Sequence, residues 1–317
     1  MISEAESRTW DCIVVGAGPA GLNAALVLGR ARRRVLVLDN AQPRNYATRE
    51  MHGVLGHDGL DPADLRARGR AELGRYGVEV VTAEVQDAEV LDGAVRLTSA
   101  RGTDLARTVL LATGMLDEVP DIPGFADLWG TSAHTCPYCD GFEHRDERLA
   151  VLAAGDRGEH LAVLLRQWSD DVVLLSNGAH DLAADRLAHV QAVDVPVIEA
   201  PVVGLDSDNG RLRRVRLGDD KTLDRDALFF YVGWRLRTDV ARTLGCELRD
   251  DGSIAVDSDQ ATTIDRVYAA GNCSDPRALV PAASGSGATA AVAINARLSV
   301  EDADSAVARS STAARSH

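Results

Sequence analysis

A six-residue glycine turn near the start of the chain constrains its fold more than any other feature. The turn, Gly16-Ala17-Gly18-Pro19-Ala20-Gly21, directly follows an apolar run at residues 12–15. A stretch rich in Ala and Leu comes next, at residues 22–29, and a second apolar run covers residues 35–38. Short apolar runs on either side of a helical stretch are typical of a βαβ unit, which implies a parallel sheet with a right-handed crossover.

The spacing of the glycines matches the fingerprint of a dinucleotide site. Gly16 permits the tight turn, Gly18 lets a pyrophosphate approach the backbone, and Gly21 lets the helix pack closely on the strand. The free N–H groups and partial positive charge at the helix N-terminus then face the phosphates. Asp39 ends the second strand, where a carboxylate can accept hydrogen bonds from ribose hydroxyls. Strand, glycines, helix, strand and acid in this order predict a nucleotide-binding domain.

Further apolar runs continue the same pattern along the chain. They lie at residues 78–81, 108–112, 149–153, 172–175, 227–232 and 267–270. Helical periodicity returns at residues 286–298, and the polar stretch from 301 to 317 predicts a frayed terminus.

Two prolines and a glycine within residues 117–124 indicate a domain junction, and a return junction is expected near residues 233–244. We therefore predict an α/β fold of two Rossmann-like dinucleotide-binding domains, the second inserted in the first. Residues 1–117 and 245–317 would form the first domain, and residues 118–244 the inserted one.

Charge and composition exclude several classes of partner. The formal net charge is -14 and the pI is about 5.0, so the surface repels a phosphate backbone or an anionic membrane. We expect a small molecule or another protein as partner, and neither a nucleic acid nor a membrane. No apolar run approaches the ~20 residues that cross a bilayer, and residues 1–11 lack the features of a signal peptide. These observations predict a cytoplasmic protein.

Only two of the five cysteines, Cys136 and Cys139, are closely spaced. In a reducing compartment such a pair is more often catalytic or metal-binding than structural. Pro137 favours a helix that begins at Cys136, and the positive end of that helix would favour the thiolate.

The other three cysteines do not form a motif. Cys12 lies in a predicted strand and Cys246 beside a turn, so we expect both to be inert. The role of Cys273 stays open.

Polar residues flank the cysteine pair. Asp140 follows Cys139 and could shuttle a proton as thiol and thiolate interconvert, although an ordinary acid in a first helical turn would look the same. His134 is either a loop residue or a base. Together with His144 it could complete a zinc site, but structural zinc sites usually draw their ligands from two separated knuckles. The catalytic candidates are therefore Cys136, Cys139, Asp140 and His134, and we predict no metal.

Two later turns favour FAD over NAD. Leu-Ala-Thr-Gly at residues 111–114 ends one strand, and Val-Tyr-Ala-Ala-Gly-Asn at residues 267–272 ends another. Both look like turns of flavoproteins with two dinucleotide domains, in which an acid in the late turn contacts the ribityl chain. Asn272 stands in place of that acid, and its amide keeps one acceptor and adds donors.

With these motifs in order, the chain resembles the low-molecular-weight thioredoxin reductase family over nearly its whole length. The resemblance implies a bound FAD, a homodimer, Cys139 as the thiol that faces the flavin and Cys136 as the thiol that exchanges with substrate. The residues that we predict to bind FAD are Gly16, Gly18, Pro19, Ala20, Gly21, Asp39, Asn40, Arg44, Asn45, His52, Val85, Thr113, Gly114, Gly271 and Asn272.

The inserted domain departs from the family where the reductases bind NADPH. The expected GxGxxA turn lacks its first glycine and has Ala153 there, whose Cβ would crowd a pyrophosphate. After the next strand, residues 176–179 read Ser-Asn-Gly-Ala, where the family has basic residues for the 2'-phosphate. We therefore expect a degenerate NADPH-type domain.

A flavoprotein with a cysteine pair and no nicotinamide site needs another electron acceptor, and oxygen is the simplest. In this respect the chain resembles the FAD-dependent dithiol oxidases of the gliotoxin and holomycin type. That resemblance implies oxidation of a small-molecule natural-product dithiol to an intramolecular disulfide, with hydrogen peroxide as the second product. The alternatives are an NAD(P)H-dependent thioredoxin or disulfide reductase, a ferredoxin-linked reductase, a flavin-bound redox sensor and a zinc-stapled binding module.

Overall fold

Strands and helices alternate along residues 9–315, which the computed structural model describes. The strands are β1 (Trp10–Val15), β2 (Val35–Asp39), β3 (Glu79–Thr82), β4 (Val85–Leu91), β5 (Ala94–Ser99), β6 (Gly102–Leu111), β7 (Met115–Asp117), β8 (Ala133–His134), β9 (Leu149–Leu152), β10 (Val172–Leu175), β11 (Val197–Ile198), β12 (Val202–Asp208), β13 (Arg211–Leu217), β14 (Thr222–Asp224), β15 (Ala227–Phe230), β16 (Trp234–Leu236) and β17 (Val267–Ala269). The helices are α1 (Pro19–Arg30), α2 (Pro62–Gly74), α3 (Pro137–Asp140), α4 (Gly155–Leu165), α5 (Ala184–Ala192), α6 (Asp239–Thr243) and α7 (Val280–Arg315), with a short 3-10 helix at Gly271–Cys273.

Two compact units share these elements. Within the described residues, the first unit combines 9–44, 63–116 and 235–315, and the second combines 45–62 and 117–234. The stretch 45–62 therefore groups with the second unit, and the stretch 235–244 groups with the first.

The first unit contains a sheet in the order β3-β2-β1-β6-β5-β4. Strand β17 also pairs with β6, along residues 109–111 and on the side away from β1. Strands β1, β2, β3, β6 and β17 are parallel neighbours, and α1 connects β1 to β2. The predicted βαβ unit is thus confirmed. The antiparallel hairpins from β4 to β6 were not predicted, because β4 and β5 are half-exposed and lack a continuous apolar run.

The core of the first unit follows the alternation of side chains along its strands. Cys12 and Val14 of β1 face one side of the sheet, where they join a cluster formed with α1 and α7. Ile13 and Val15 face the opposite side and a second cluster. Because both faces of β1 and β2 are covered, residues 12–15 and 35–38 form continuous apolar runs.

The second unit repeats the plan on a smaller scale. Its parallel sheet has the order β11-β10-β9-β15-β8, and α4 connects β9 to β10. An antiparallel sheet of β12, β13 and β14 belongs to the same unit. The prediction of an α/β fold with two Rossmann-like units is therefore confirmed.

The C-terminal segment is helical, so the predicted frayed terminus is wrong within the described residues. Helix α7 runs from Val280 to Arg315. Its turn at residues 301–302 is held by ion pairs, because Arg107 lies 3.1 Å from Glu301 and 2.7 Å from Asp302. Composition could not reveal these pairs, since Arg107 is remote in sequence. No helix within residues 9–315 combines the length and the apolar character needed to cross a membrane.

Candidate active site

The glycine turn between β1 and α1 leaves room at one position and none at two others. A Cβ on Gly21 would overlap the carbonyl oxygen of Gly16, and a Cβ on Gly16 would overlap that of Ala112. A Cβ on Gly18 would meet no atom within 4 Å. No side chain caps α1, which begins with Pro19 after Gly18. The close packing and the open, uncapped helix start fit a bound pyrophosphate.

Asp39, at the end of β2, is held in place from both sides. Its Oδ1 accepts a hydrogen bond of 3.0 Å from the N–H of Ala17, and its Oδ2 pairs with the guanidinium of Arg70 on α2. A carboxylate has about four acceptor positions, so capacity for a ribose hydroxyl remains.

The predicted turns of the first unit meet at one edge of its sheet. Strands β1, β2, β6 and β17 are parallel neighbours, so the residues that follow them lie at a common edge. Gly271 approaches Ala20 there, since a Cβ on Gly271 would lie 2.9 Å from that of Ala20. Ligands of α/β sheets bind at such carboxyl ends, where the connections diverge.

The amide of Asn272 is used to hold its own loop. Its Nδ2 lies within hydrogen-bonding distance of the carbonyl oxygens of Asp275, Pro276 and Ala278, at 3.1, 3.3 and 3.0 Å. Its Oδ1 accepts a bond of 3.4 Å from Arg44. These bonds join Asn272 to Arg44, a second predicted FAD-binding residue, and hold the loop that precedes α7.

Four other predicted residues of the first unit lie in turns or at the start of a strand. Thr113 donates to the carbonyl oxygen of Arg237 at 2.5 Å, and Gly114 has a φ of 70°. Asn40 Oδ1 accepts from the N–H of Gln42 at 3.2 Å, and Val85 begins β4.

Two predicted FAD-binding residues, Asn45 and His52, fall in the second unit. His52 is surrounded by carboxylates, with Nε2 3.5 Å from Glu143 Oε1 and Nδ1 3.6 Å from Asp58 Oδ1.

The cysteine pair lies at the start of the short helix α3, as the sequence predicts. Cys136 is the N-cap, Pro137 is the first helical residue, and a disulfide joins Cys136 to Cys139. The N–H groups of Cys139 and Asp140 donate to the carbonyl oxygen of Cys136 at 3.1 and 3.2 Å. The turn therefore fixes both cysteines and the neighbouring carboxylate in one rigid segment.

Asp140 leads into a buried row of polar side chains. His134 Nδ1 lies 3.2 Å from Asp140 Oδ1, and His134 Nε2 lies 3.0 Å from His144 Nε2. His144 Nδ1 is in turn 2.8 Å from Glu147 Oε2. His134 belongs to β8 and is buried, so its interpretation as a loop residue is wrong. Among residues 9–315 there is no group of three or more side chains that could hold a metal ion.

The turn between β9 and α4 differs from the first glycine turn. Gly16 has a φ of 108°, whereas Ala153 at the matching position is not left-handed, and Gly155 takes that conformation with a φ of 57°. Close packing of helix on strand is retained, because a Cβ on Gly158 would lie 2.8 Å from the Ala153 carbonyl oxygen. The second turn keeps its structural glycine and lacks the one that admits a tight pyrophosphate turn.

The residues after β10 are tied to their own backbone. Ser176 donates to the carbonyl oxygen of Gly178 at 2.7 Å, and Asn177 Oδ1 accepts from the N–H of Val202 at 2.7 Å. Arg157, near the start of α4, lies over the rings of Tyr231 and Trp234, at 4.9 and 5.3 Å from their centres. Neither Ser176 nor Asn177 supplies a positive charge for a 2'-phosphate.

The three remaining cysteines are buried and free. Burial raises the pKa of Cys12 to about 12, and it also raises the pKa of Cys246 and of Cys273. Cys273 Sγ lies 3.3 Å from the carbonyl oxygens of Leu111 and Ala270, either of which can accept its one hydrogen. All three therefore have the character of inert, packed thiols.

Comparison with known proteins decides the family. Residues 10–295 match the pyridine nucleotide-disulphide oxidoreductase family. The chain belongs to this family. The thioredoxin reductase-like fold predicted from the motifs is confirmed by the solved structure of HlmI, which is 42% identical and superposes with a TM-score of 0.92, covering 96% of this chain and 98% of that one.

Fungal members of the pyridine nucleotide-disulphide oxidoreductase family are also similar. Thioredoxin reductase tcpT of Claviceps purpurea is 34% identical, over 84% of this chain and 87% of the relative. Thioredoxin reductase aclD of Aspergillus oryzae is 34% identical, over 92% of this chain and 98% of the relative. The protein is thus an oxidoreductase with a disulfide-related redox role.

Three polar residues of this family member were missed in the sequence. Arg70 pairs with Asp39, and Glu147 and Arg211 pair with each other beside the histidines. Arg70 is 31 positions from Asp39 and Arg211 is 64 positions from Glu147, so no local pattern could reveal either ion pair. His144 was noticed only as a possible zinc ligand.

Proposed function

We propose that this protein is an FAD-dependent dithiol oxidase that forms an intramolecular disulfide in a small-molecule, natural-product dithiol. Oxygen is the electron acceptor, so one dithiol and one O₂ give one disulfide and one H₂O₂. The observation that carries the proposal is the Cys136–Cys139 disulfide beside Asp140, in a unit whose nucleotide turn lacks the first glycine and whose β10 end lacks basic residues.

The first unit supplies the residues that would hold FAD. Gly16, Gly18 and Gly21 would receive the pyrophosphate, and Asp39 a ribose. A bound FAD would supply an acceptor for the electron pair of the reduced cysteines, from which the pair could pass to oxygen. Asn272 retains an acceptor for a hydroxyl while its amide fixes the loop before α7.

The chemistry at the cysteines is thiol–disulfide exchange. A substrate thiolate attacks Cys136, the bond to Cys139 breaks, and Cys139 leaves as a thiolate. The second substrate sulfur then attacks the sulfur bonded to Cys136, which releases the cyclic disulfide and leaves the pair reduced. Two electrons pass from the substrate sulfurs to the enzyme sulfurs.

Two exposed aromatic side chains support an apolar substrate. Tyr138 lies between the two cysteines and Phe142 follows α3, and they are 66% and 62% exposed. Aromatic rings exposed on either side of Cys139 offer an apolar contact area to a small substrate at the reactive disulfide. We include a homodimer and a cytoplasmic location in the proposal, since the motif order resembles homodimeric reductases and a close cysteine pair suits a reducing compartment.

The test is oxygen consumption and peroxide release with a panel of reduced small-molecule dithiols. Wild-type protein is expected to turn over, whereas Cys136→Ser and Cys139→Ser are expected to lose turnover. Cys246→Ser is the matched control, because Cys246 is a buried free thiol. Turnover that survives either active-site substitution would contradict the proposal.

An NAD(P)H-dependent disulfide reductase is the second candidate, because tcpT and aclD are named thioredoxin reductases. Anaerobic mixing with NADPH separates the two functions. The oxidase predicts that the flavin absorbance persists, and rapid bleaching at one equivalent of NADPH would favour the reductase.

A further inference from the structure

A row of polar side chains begins at Asp140, the residue after Cys139, and leads to the surface of the second unit. It runs through His134 and His144 to Glu147, with separations of 3.2, 3.0 and 2.8 Å. His134 and His144 are buried, with 6% and 8% of each residue exposed, and the ring of Phe229 packs against both imidazoles. Glu147 is 23% exposed and pairs with Arg211, which is 55% exposed.

We propose that these side chains form a proton relay that removes the proton of the attacking substrate thiol. The relay deepens the proposed dithiol oxidation and rests on it. Asp140 receives the proton, His134 and His144 pass it on, and Glu147 delivers it to solvent.

The hydrogen-bond directions follow from the acceptor at the outer end. Glu147, as a carboxylate, only accepts, so His144 carries a hydrogen on Nδ1 and its Nε2 is an acceptor when the ring is neutral. His134 must then donate from Nε2 to His144. That leaves His134 Nδ1 without a hydrogen, facing Asp140 Oδ1 across 3.2 Å.

This arrangement is aligned for outward transfer. One proton fits between Asp140 and His134, at the end nearest the cysteines. When it arrives, His134 passes its Nε2 hydrogen to His144, and His144 passes its Nδ1 hydrogen to Glu147. Neither ring has to turn over for this first transfer.

The charge environment supports a neutral relay. Burial lowers the pKa of His144, which outweighs the opposing effect of Glu147. A neutral His144 passes a proton on without retaining it. The charged groups that face the two rings are Asp140 and Glu147, and Arg211 balances the charge of Glu147.

The structure contains the oxidised cysteine pair, which is the state in which the relay would be needed. The next event is attack by a substrate thiol, which is reactive only as the thiolate. The thiol loses its proton to Asp140, its sulfur bonds to Cys136, and the disulfide bond breaks. The overall exchange yields the cyclic disulfide, one enzyme thiol, one enzyme thiolate and one proton delivered through Glu147.

The test is anaerobic reduction of the Cys136–Cys139 disulfide by dithiothreitol, followed by acid quench and mass spectrometry. This reaction requires neither oxygen nor flavin, so its result is independent of whether the protein proves to be an oxidase. His144→Gln can hydrogen-bond but cannot relay a proton, and we expect it to be reduced about tenfold more slowly at pH 7. His189→Gln is the matched control, because His189 also pairs with a glutamate, Glu159, at 3.0 Å in the same unit.

The pH profile distinguishes a relay from a structural role. Above about pH 9 dithiothreitol is largely ionised and needs no base, so the rates of wild type and His144→Gln should converge. A rate ratio that stays constant between pH 7 and pH 9.5, or the absence of any slowing at pH 7, would overturn the relay.

A second variant covers the case in which His144→Gln folds poorly. His144→Ala opens space beside His134, and added imidazole should restore the rate at pH 7. Imidazole can take a proton on one nitrogen and release one from the other, whereas 1-methylimidazole cannot. Equal rescue by both compounds would show that His144 only fills space, and it would overturn the proposal.

Discussion

Gly18 and Gly21 stand three residues apart in the same turn and have different reasons to be glycine. Gly21 faces the carbonyl oxygen of Gly16, so any side chain there collides with rigid backbone. Gly18 has a φ of -76° and open space around its Cβ position, so its own fold would accept a methyl group. One glycine is therefore required by packing, and the other only by a ligand that approaches the backbone.

We expect Gly21→Ala to destabilise the protein by about 1–3 kcal/mol, because strand and helix must separate. Gly18→Ala is expected to leave the unfolding temperature of flavin-free protein unchanged and to weaken flavin retention. Thermal unfolding together with flavin absorbance after gel filtration measures both effects. Equal destabilisation by the two substitutions would contradict this division of roles.

Asn272→Asp is expected to restore the acid of the family pattern at a loss of stability. The three carbonyl oxygens that the Asn272 amide contacts would face a carboxylate, which cannot donate to them. Leaving such groups unpaired costs about 1–3 kcal/mol, which thermal unfolding should detect. Asn209→Asp is the control, because the Asn209 amide lies in an exposed turn and donates a single bond of 2.9 Å to Asp208, so a smaller effect is expected. An unchanged unfolding temperature for Asn272→Asp would show that the loop does not depend on the amide.

Local motifs at the residue scale could be predicted from the sequence, and residues that act through distant partners could not. The glycine turn, Asp39 and the cysteine pair each lie within a few positions of the features that define them. His144 is ten positions from His134, and its partner Glu147 has no motif around it. His134 and His144 come into contact because β8 pairs with β15, which places His134 beside Phe229 and near the turn after α3. This pairing is not apparent from the sequence.

Among the elements, β9 and β15 are joined by a tight ion pair at their starts. Arg148 donates from Nε and Nη2 to both carboxylate oxygens of Asp226, at 2.9 and 2.8 Å, and its backbone N–H adds a third bond of 3.1 Å. These bonds lower the pKa of Asp226 to about 2. The pair helps to fix two central strands of the second unit in register.

Asp226→Asn is therefore expected to lower the unfolding temperature by a few degrees near pH 6. A carboxylate whose pKa is lowered on folding stabilises the protein above its ordinary pKa, and that contribution is lost as the pH falls through the folded value. The difference between wild type and variant should shrink below about pH 4 and vanish near pH 2. Thermal unfolding monitored by circular dichroism measures it, and a difference that stays constant down to pH 2 would contradict this assignment.

Elements with continuous apolar runs were the predictable part of the fold. Strand β10 has the predicted boundaries, because both of its faces are buried and every residue is apolar. The hairpin of β4 and β5 was missed because its exposed face is polar. The continuation of α7 past residue 300 was missed because ion pairs, rather than apolar contacts, hold its turn at residues 301–302. The periodicity of apolar residues indicates which side chains are buried, and it gives no information on elements that ion pairs stabilise.

On the scale of the whole molecule, the net negative charge opposes the association of two copies of the chain. Two copies of a chain with a net charge of -14 repel each other, and salt screens that repulsion. We expect sedimentation equilibrium to give twice the chain mass of 33.7 kDa, with tighter association as ionic strength rises. A monomer at every salt concentration would contradict the proposed homodimer.

The burial of Cys12, Cys246 and Cys273 has a practical consequence for anyone who handles this protein. An alkylating reagent applied to the native fold should find no target while the active-site pair is oxidised and two targets once it is reduced. The count of alkyl adducts therefore reads out the oxidation state of the pair without mutagenesis to remove background thiols.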